Sequence, residues 1–273
     1  MVQNLQQIKK RIKTSNNIEQ ISKAIEMISA SKILKIQSFV ERYNPYAKKI
    51  KYMVQRVITE KKIIDKKENV NNKFVYIISP DKGLCGGLVM NLLKIMSSYV
   101  QQNDYVVTIG KKAASNVSKY DYNVIASFKM GINFPQYDDI YPMISIANDF
   151  YILGKVEKIS IIYTEFKNIF VQEAVVNEIL PIIPNQAFKN HTISYIFEPD
   201  VKYILKELLP YYFEVEFYDA LMNAYASEQT ARMIAMRNAK NNANDISNLL
   251  LSIYNKSRQE KITNEILDLA NGK

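Results

Sequence analysis

The 273-residue sequence predicts an α/β protein in which the two ends of the chain form a long antiparallel coiled coil and the middle is an inserted α/β domain. Three observations support this fold class. The N-terminal part lacks glycine and repeats apolar residues at helical spacing. The middle alternates short β-branched runs with helical stretches, and the chain after Pro210 contains neither glycine nor proline as far as Asn271.

The segment from Leu5 to about Ile58 predicts one long helix with a single apolar stripe, because its apolar residues recur at steps of three and four. Pro45 removes one backbone donor, so it is expected to bend the helix or to mark a joint. The charged run KKIIDKKENVNN from Lys61 to Asn72 has no periodicity and predicts a linker. The stripe consists of Ile18, Ile21, Ile25, Ile28, Ile36, Phe39, Tyr43, Ala47, Ile50, Val54 and Val57.

The middle of the chain predicts a Rossmann-like α/β domain over residues 73–207. Strands are expected at 74–80, 106–110, 123–128 and 158–166, where β-branched and aromatic residues lie between turn residues. Helical stretches at 88–101, 111–118 and 137–154 separate them, and this alternation indicates a mainly parallel sheet. A further strand over 170–182 is expected to pair with its predecessor as a hairpin.

The C-terminal segment predicts a second long helix over residues 211–270, which would extend about 90 Å. A helix of this length depends on packing against a partner more than on its own propensity. The N-terminal helix, residues 1–60, is the comparable element, so the two are expected to pair as an antiparallel coiled coil.

Alanine recurs at steps of four in the C-terminal helix, at positions 231, 235, 239 and 243. This ladder is expected to let the partner backbone approach closely, with the small residues from Ser29 to Lys32 as the facing segment. The result would be a slim shaft with few large hydrophobic residues outside, able to turn within a sleeve. An ordinary soluble coiled coil would explain these residues nearly as well.

The composition limits the function. The net charge is +9, and the first 62 residues carry 14 Lys and Arg against 4 Asp and Glu, which suits nucleic acid, an acidic membrane surface or an acidic protein. A single cysteine, Cys85, and a single histidine, His191, exclude a disulfide and predict no metal site and no cofactor. The absence of a long apolar run or a signal peptide predicts a cytosolic protein without direct lipid insertion.

The loop DKGLCGG, from Asp81 to Gly87, lies between a predicted strand and a predicted helix, where a phosphate-binding loop would be expected. It matches neither the Walker pattern nor the dinucleotide-binding pattern. A tight turn or a docking surface is the favoured interpretation. Neither His191 nor Cys85 has a sequence-visible catalytic partner, so nucleophilic catalysis is not expected.

Two pairs of polar residues on the last helix are candidates for partner contact. Glu228 and Arg232 lie four residues apart, a spacing that an exposed ion pair would equally explain. Arg258 and Gln259 place a fork-shaped guanidinium beside an amide, which suits the carboxylates of a partner.

Three blocks of the sequence follow one another in this order: Arg11 to Gln37 (RIK…ISKAIEMISASKILKIQ), DKGLCGG, and Ala226 to Ile266. Together they resemble the gamma subunit family of the rotary proton-translocating ATP synthase, and the resemblance extends over essentially the whole chain. The last block is highly specific.

The resemblance implies a non-catalytic rotor. In this family the paired terminal helices turn inside a ring of alpha and beta subunits, and the α/β domain forms a foot beside the epsilon subunit and the membrane c-ring. The family's contacts with the beta subunits fall here on Arg258 and Gln259, with Glu228, Arg232 and Thr263 nearby, and Glu198 matches a position near the foot. The implied location is the cytoplasmic face of a bacterial inner membrane, where the protein is peripheral.

Two other functions remain as alternatives from the residues alone. A nucleotide-dependent enzyme using the α/β domain would have to bind ATP or a dinucleotide in isolation. A nucleic-acid clamp using the basic N-terminal arm would show DNA or RNA binding that falls steeply with salt. The resemblance implies neither activity, and no nucleic-acid partner.

Overall fold

The computed structural model describes residues 5–61, 72–131, 133–184, 198 and 200–272. The chain forms two compact units: one consists of Met1–Ser31 with Arg232–Lys273, and the other of Lys32–Ala231. Most of the predicted linker, and also His191, lie outside the described residues. Among the described residues, none of the helices combines the length and the hydropathy that crossing a membrane requires.

The elements agree in type and order with the prediction. The long helices are α1 (Leu5–Lys61) and α5 (Val201–Asn271), and a 3₁₀ turn covers Tyr137–Ile140. The remaining elements are β1 (Lys73–Ile78), α2 (Leu88–Tyr99), β2 (Tyr105–Ile109), α3 (Lys111–Val117), β3 (Asn123–Phe128), α4 (Tyr141–Ile152), β4 (Lys158–Phe166) and β5 (Gln172–Leu180).

The second unit, Lys32–Ala231, contains a five-stranded sheet with the order β3-β2-β1-β4-β5. The pairs β1–β2, β1–β4 and β2–β3 are parallel. Strand β5 pairs antiparallel with β4, from Phe166 opposite Gln172 to Ile159 opposite Leu180. The mainly parallel sheet and the predicted hairpin are both confirmed.

Both faces of the sheet are covered, and the side chains of β1 alternate between them. Phe74, Tyr76 and Ile78 belong to a core that also contains residues of α1, α4 and α5. Val75 and Ile77 belong to a second core, which is completed by buried residues of α2 and α3. All five side chains are buried, so β1 lies at the centre of the unit.

The start of α5 differs from the prediction. The helix begins at Val201 rather than after Pro210, which lies inside it. A proline removes one backbone hydrogen bond, but the residues that follow it bury large aromatic side chains against the sheet. Phe213 and Phe217 pack in the same core as Tyr76, with ring centroids 6.4 and 4.9 Å from the Tyr76 ring. This packing outweighs the lost hydrogen bond. Pro45 likewise lies within α1, which continues through it to Lys61.

The turn after β2 needs a glycine. Gly110 has φ +96°, a conformation that side chains with a Cβ rarely adopt. A Cβ at this position would lie 1.9 Å from the carbonyl oxygen of Ser79. The close approach joins β1 to α3, because the Ser79 hydroxyl accepts a 2.6 Å hydrogen bond from the Ala113 backbone N–H.

Replacing Gly110 with alanine is expected to lower the free energy of unfolding by roughly 3 kcal/mol or more, because backbone strain and a backbone clash add. Gly154→Ala is the matched control: its φ is +70°, but no atom lies within 4 Å of the added Cβ. It should lose only about 1–2 kcal/mol. Chemical denaturation of both variants measures the difference, and equal losses would show that the close approach at Gly110 contributes nothing.

Candidate functional site

The helices of the first unit run antiparallel, as predicted. The Ser15 hydroxyl donates to the Ala243 carbonyl at 2.7 Å. Farther along α1, Glu26 accepts hydrogen bonds from Arg237 Nε at 2.8 Å and from Lys240 Nζ at 2.9 Å. Residue numbers therefore rise along one helix as they fall along the partner.

The seam between these two helices is polar on the α1 side. Ile8, Ser15, Ser22 and Ser29 recur at every seventh position, and the three serines are only 6, 4 and 1% exposed. A coiled coil normally places aliphatic side chains at such positions. Serine is smaller and carries a hydroxyl, so the helices meet through small side chains and hydrogen bonds.

In this unit, the expectation that the apolar stripe of α1 packs against α5 is wrong for three of its isoleucines. Ile18, Ile21 and Ile28 are 48, 60 and 57% exposed. Ile21 and Ile28 each precede a seam serine by one residue, which places them about 100° around the helix from the seam. The apolar periodicity correctly predicted a helix, but these isoleucines lie on the exposed face of that helix.

The alanine ladder is also only partly right. Ala243 is buried in the seam, whereas Ala231, Ala235 and Ala239 are half-buried. The hydrogen bond to Ala243 comes from Ser15, not from the segment Ser29 to Lys32 that was expected to face the ladder. Repeated steps of four advance about 40° beyond a full turn each time, so such a ladder drifts off a seam that averages 3.5 residues per turn.

The outside of the pair carries large hydrophobic side chains, which contradicts the expected slim exterior. Soluble proteins rarely leave large contiguous apolar patches exposed unless a partner covers them. This outer apolar surface is the main candidate for a binding surface. Its residues are Ile18, Ile21, Met27 and Ile28 on α1 and Ile246, Leu249, Leu251 and Ile253 on α5.

Three of the predicted contact residues lie close together near the end of α5. Arg258, Gln259 and Thr263 are exposed, and the Thr263 hydroxyl donates to the Gln259 carbonyl at 2.9 Å. All residues from 258 to 270 are exposed. Every face of this end of α5 is therefore exposed, including the side chains of the apolar residues Ile262, Ile266 and Leu269.

The other predicted contact residues lie elsewhere. Arg232 is half-buried and about 39 Å of helix separates it from Arg258. Glu228 is 7% exposed, so the alternative of a fully exposed Glu228–Arg232 pair is wrong. Glu198 is exposed, just before α5 begins. Within the first unit, Arg232 therefore does not share a site with Arg258, Gln259 and Thr263.

The loop after β1 is organised around a carboxylate. Asp81 accepts backbone hydrogen bonds from Lys111 at 2.8 Å and from Gly131 at 2.9 Å. Lys111 is the first residue of α3 and Gly131 follows β3, so the Asp81 carboxylate joins the start of this loop to both segments. Leu84 and Gly86 adopt positive φ angles of 63° and 59°, as a tight strand-to-helix turn requires.

In the described part of the chain, no group of three His, Cys, Asp or Glu side chains could hold a metal ion.

An ion pair in the seam was missed by the sequence reasoning. Hydrogen bonds from Arg237, and then from Lys240, hold the pKa of Glu26 below its ordinary value of 4.5. Glu26 lies four residues after Ser22, the spacing of a second seam position in a heptad. The heptad of serines could have revealed it.

Comparisons with known proteins agree on one family. The profile of the ATP synthase family matches residues 4–273. The ATP synthase gamma chain of Dehalococcoides mccartyi is 34% identical, with 98% of each chain covered. That of Desulforamulus reducens is also 34% identical, over 97% of this chain and 96% of the relative.

Solved structures share the fold. One chain from the OSCP/F1/c-ring structure of the Euglena gracilis mitochondrial ATP synthase aligns with a TM-score of 0.75 at 16% identity, covering 98% of this chain and 93% of the other. A chain from the central stalk and c-ring of the Tetrahymena thermophila mitochondrial enzyme has a TM-score of 0.62 at 24% identity, covering 80% and 99%.

Glu26→Gln is expected to weaken the helix pair at neutral pH by about 0.5–1 kcal/mol, as for a partly exposed ion pair. Because the folded-state pKa of Glu26 is lowered, its contribution is complete well above pH 4.5 and is lost as the pH falls through the folded-state pKa. The melting-temperature difference between wild type and variant should therefore shrink below pH 4.5. Glu260→Gln, at an exposed position of α5, is the control; a difference that does not change with pH would contradict the assignment.

Proposed function

Because the chain belongs to the ATP synthase gamma chain family, we propose that it is the central-stalk rotor subunit, which couples rotation of the membrane ring to ATP synthesis in the catalytic head. The work is mechanical. A rotating subunit changes the state of its neighbours by presenting a different surface to each of them at each position.

The observation that best supports this function is the arrangement of the helix pair in the first unit. On the α1 side three seam positions are serines, whereas many of the large hydrophobic side chains of the pair, such as Ile21 and Leu249, are exposed. An isolated coiled coil has the opposite arrangement. The outward apolar side chains suit a shaft that is enclosed by other subunits.

The proposed partners follow from the family. Alpha and beta subunits would surround the terminal helices, and the epsilon subunit and the c-ring would contact the α/β foot. The solved relatives are described as parts of F1/c-ring and central-stalk assemblies, which is consistent with these partners. In this proposal residues 1–60 and 211–270 act as the shaft and residues 73–207 as the foot, at the cytoplasmic face of a bacterial inner membrane.

Arg258 and Gln259 are proposed as contacts to carboxylates of the beta subunits, with Thr263 beside them. Their exposure leaves both side chains accessible to a partner. A guanidinium can bind a carboxylate through two parallel hydrogen bonds, and such charge-assisted bonds are about twice as strong as neutral ones. Arg232 and Glu198 would contact partners elsewhere. Because Glu228 is buried, it suits a role in stabilising the packing of the helices better than direct contact with a partner.

Co-purification tests the proposed function directly. A tagged chain, expressed with the alpha and beta subunits of the same genome, should elute with both of them in one ATP-hydrolysing complex. Elution of the folded chain without either subunit would contradict the proposal.

The isolated chain is expected to lack ATPase activity and to bind ATP weakly at most, because the loop from Asp81 to Gly87 matches neither the Walker pattern nor the dinucleotide-binding pattern. Calorimetry with MgATP and a phosphate-release assay measure both properties. Stoichiometric tight binding or turnover by the isolated chain would show that this subunit has catalytic machinery of its own.

The double variant Arg258→Ala/Gln259→Ala is expected to assemble normally but to lower multisite ATP turnover and proton-driven synthesis several-fold. Single-site hydrolysis, which needs no full rotation, should change less. The matched control is Lys256→Ala/Asn264→Ala, another exposed cation and amide on the same helix. They lie about 200° and 240° around the helix from Arg258. Full turnover and synthesis in the first variant, or equal losses in both, would remove Arg258 and Gln259 from the contact.

A further inference from the structure

A cavity of about 250 Å³ lies within the second unit, between α1, α5 and the end of β4. Its apolar wall includes Ile36 and Met222, both buried, and Ala226. Asp219 and Asn223 provide polar groups at the same cavity. An apolar wall with a few convergent polar groups is the usual composition of a small-molecule site.

The size of the cavity limits what it can hold. An engineered apolar cavity of about 150 Å³ is known to bind benzene, so 250 Å³ accommodates one aromatic ring and a short arm. A helix about 10 Å across is far too large for it. The occupant is therefore a small molecule of roughly nine or ten non-hydrogen atoms.

The charges around the cavity favour a cation. Lys51 lies 2.5 Å from Asp219 Oδ2 and 3.2 Å from Glu216 Oε1, so one ammonium faces two carboxylates. Burial, and then the charges of Glu165, Glu216 and Asp219, raise the pKa of Tyr163 to about 12. Burial followed by the charge of Asp219 raises the pKa of Tyr43, another cavity residue. With two carboxylates against one ammonium, the cluster of Lys51, Glu216 and Asp219 carries a net charge of −1 beside the cavity.

The polar groups are held in place. The Asn223 side-chain amide donates to the Asp219 carbonyl at 2.9 Å, and its oxygen accepts from the Phe166 N–H at 3.4 Å. A carboxylate can accept about four hydrogen bonds, so the bond from Lys51 leaves Asp219 further capacity. A second ammonium could therefore pair with Asp219 without displacing Lys51.

We propose that this cavity binds a small aryl-alkyl ammonium ion, with the ring against Ile36, Met222 and Ala226 and the ammonium paired with Asp219. The proposal does not rest on the stalk function, because the isolated chain supplies every residue of the cavity wall. Since both terminal helices and β4 contribute to its wall, a bound ligand stabilises the second unit by mass action.

The test uses the full-length chain and 2-phenylethylamine, which is protonated at pH 7. Saturable binding at one site is expected, with a Kd on the order of 0.1–1 mM for so small a ligand. The uncharged 2-phenylethanol has the same shape and is expected to bind at least about fivefold more weakly, because it cannot form the ion pair. Absence of saturable binding, or equal binding of the amine and the alcohol, would overturn the proposal.

Variants locate the site. Ala226→Phe fills the cavity and should abolish amine binding. Asp219→Asn keeps the cavity and should weaken amine binding roughly fivefold to twentyfold while leaving the alcohol unchanged. Glu207→Gln, at an exposed position of α5, removes a carboxylate elsewhere and should bind as wild type does. Circular dichroism confirms folding of each variant, and unchanged amine affinity in a folded Asp219→Asn chain would contradict the assigned ion pair.

Discussion

The hydroxyl-lined seam between the terminal helices is the interaction on which the rest of the first unit depends. Ser15, Ser22 and Ser29 occupy positions where a coiled coil usually buries leucine or isoleucine. Serine buries less apolar area than leucine or isoleucine, so these three positions gain less from the hydrophobic effect than aliphatic residues would. Hydrogen bonds such as that from Ser15 to the Ala243 carbonyl then determine how the helices align.

The outward position of the isoleucines follows from the same constraint. With serines at three seam positions, exposed apolar side chains such as Ile21, Ile28 and Leu249 remain for contacts outside the pair. In a chain of the ATP synthase gamma family, this gives a physical reason for a shaft that functions only within an assembly. In the second unit, by contrast, the same two helices bury large side chains, including Val54, Phe213 and Phe217, against the central sheet.

The sequence was informative where a pattern had one structural meaning. The β-branched runs predicted the strands, and the order of strands and helices predicted the mainly parallel sheet and the final hairpin. The sequence was less informative where tertiary packing determines the bounds of a helix. Pro210 suggested a helix boundary, but the aromatic residues after it hold the helix against the sheet.

The candidate site was predictable only in part. The exposure of Arg258, Gln259 and Thr263 agrees with their predicted role in partner contact, but the burial of Glu228 was not foreseen. The apolar period on α1 indicated a helix correctly, yet periodicity alone cannot tell an inner face from an outer one. The serines at every seventh position indicated the inner face, but serine is polar and so does not contribute to an apolar periodicity.

In the proposed rotor, the isoleucines of α1 face partner subunits rather than the other helix. The most direct measurement compares the triple variant Ile18→Gln, Ile21→Gln, Ile28→Gln with wild type in two assays: melting of the isolated chain and co-purification with alpha and beta subunits. The triple variant is expected to have an unchanged or slightly higher melting temperature than wild type, together with weakened assembly. A lower melting temperature together with normal assembly would contradict it, because the isoleucines would then be packing within the pair.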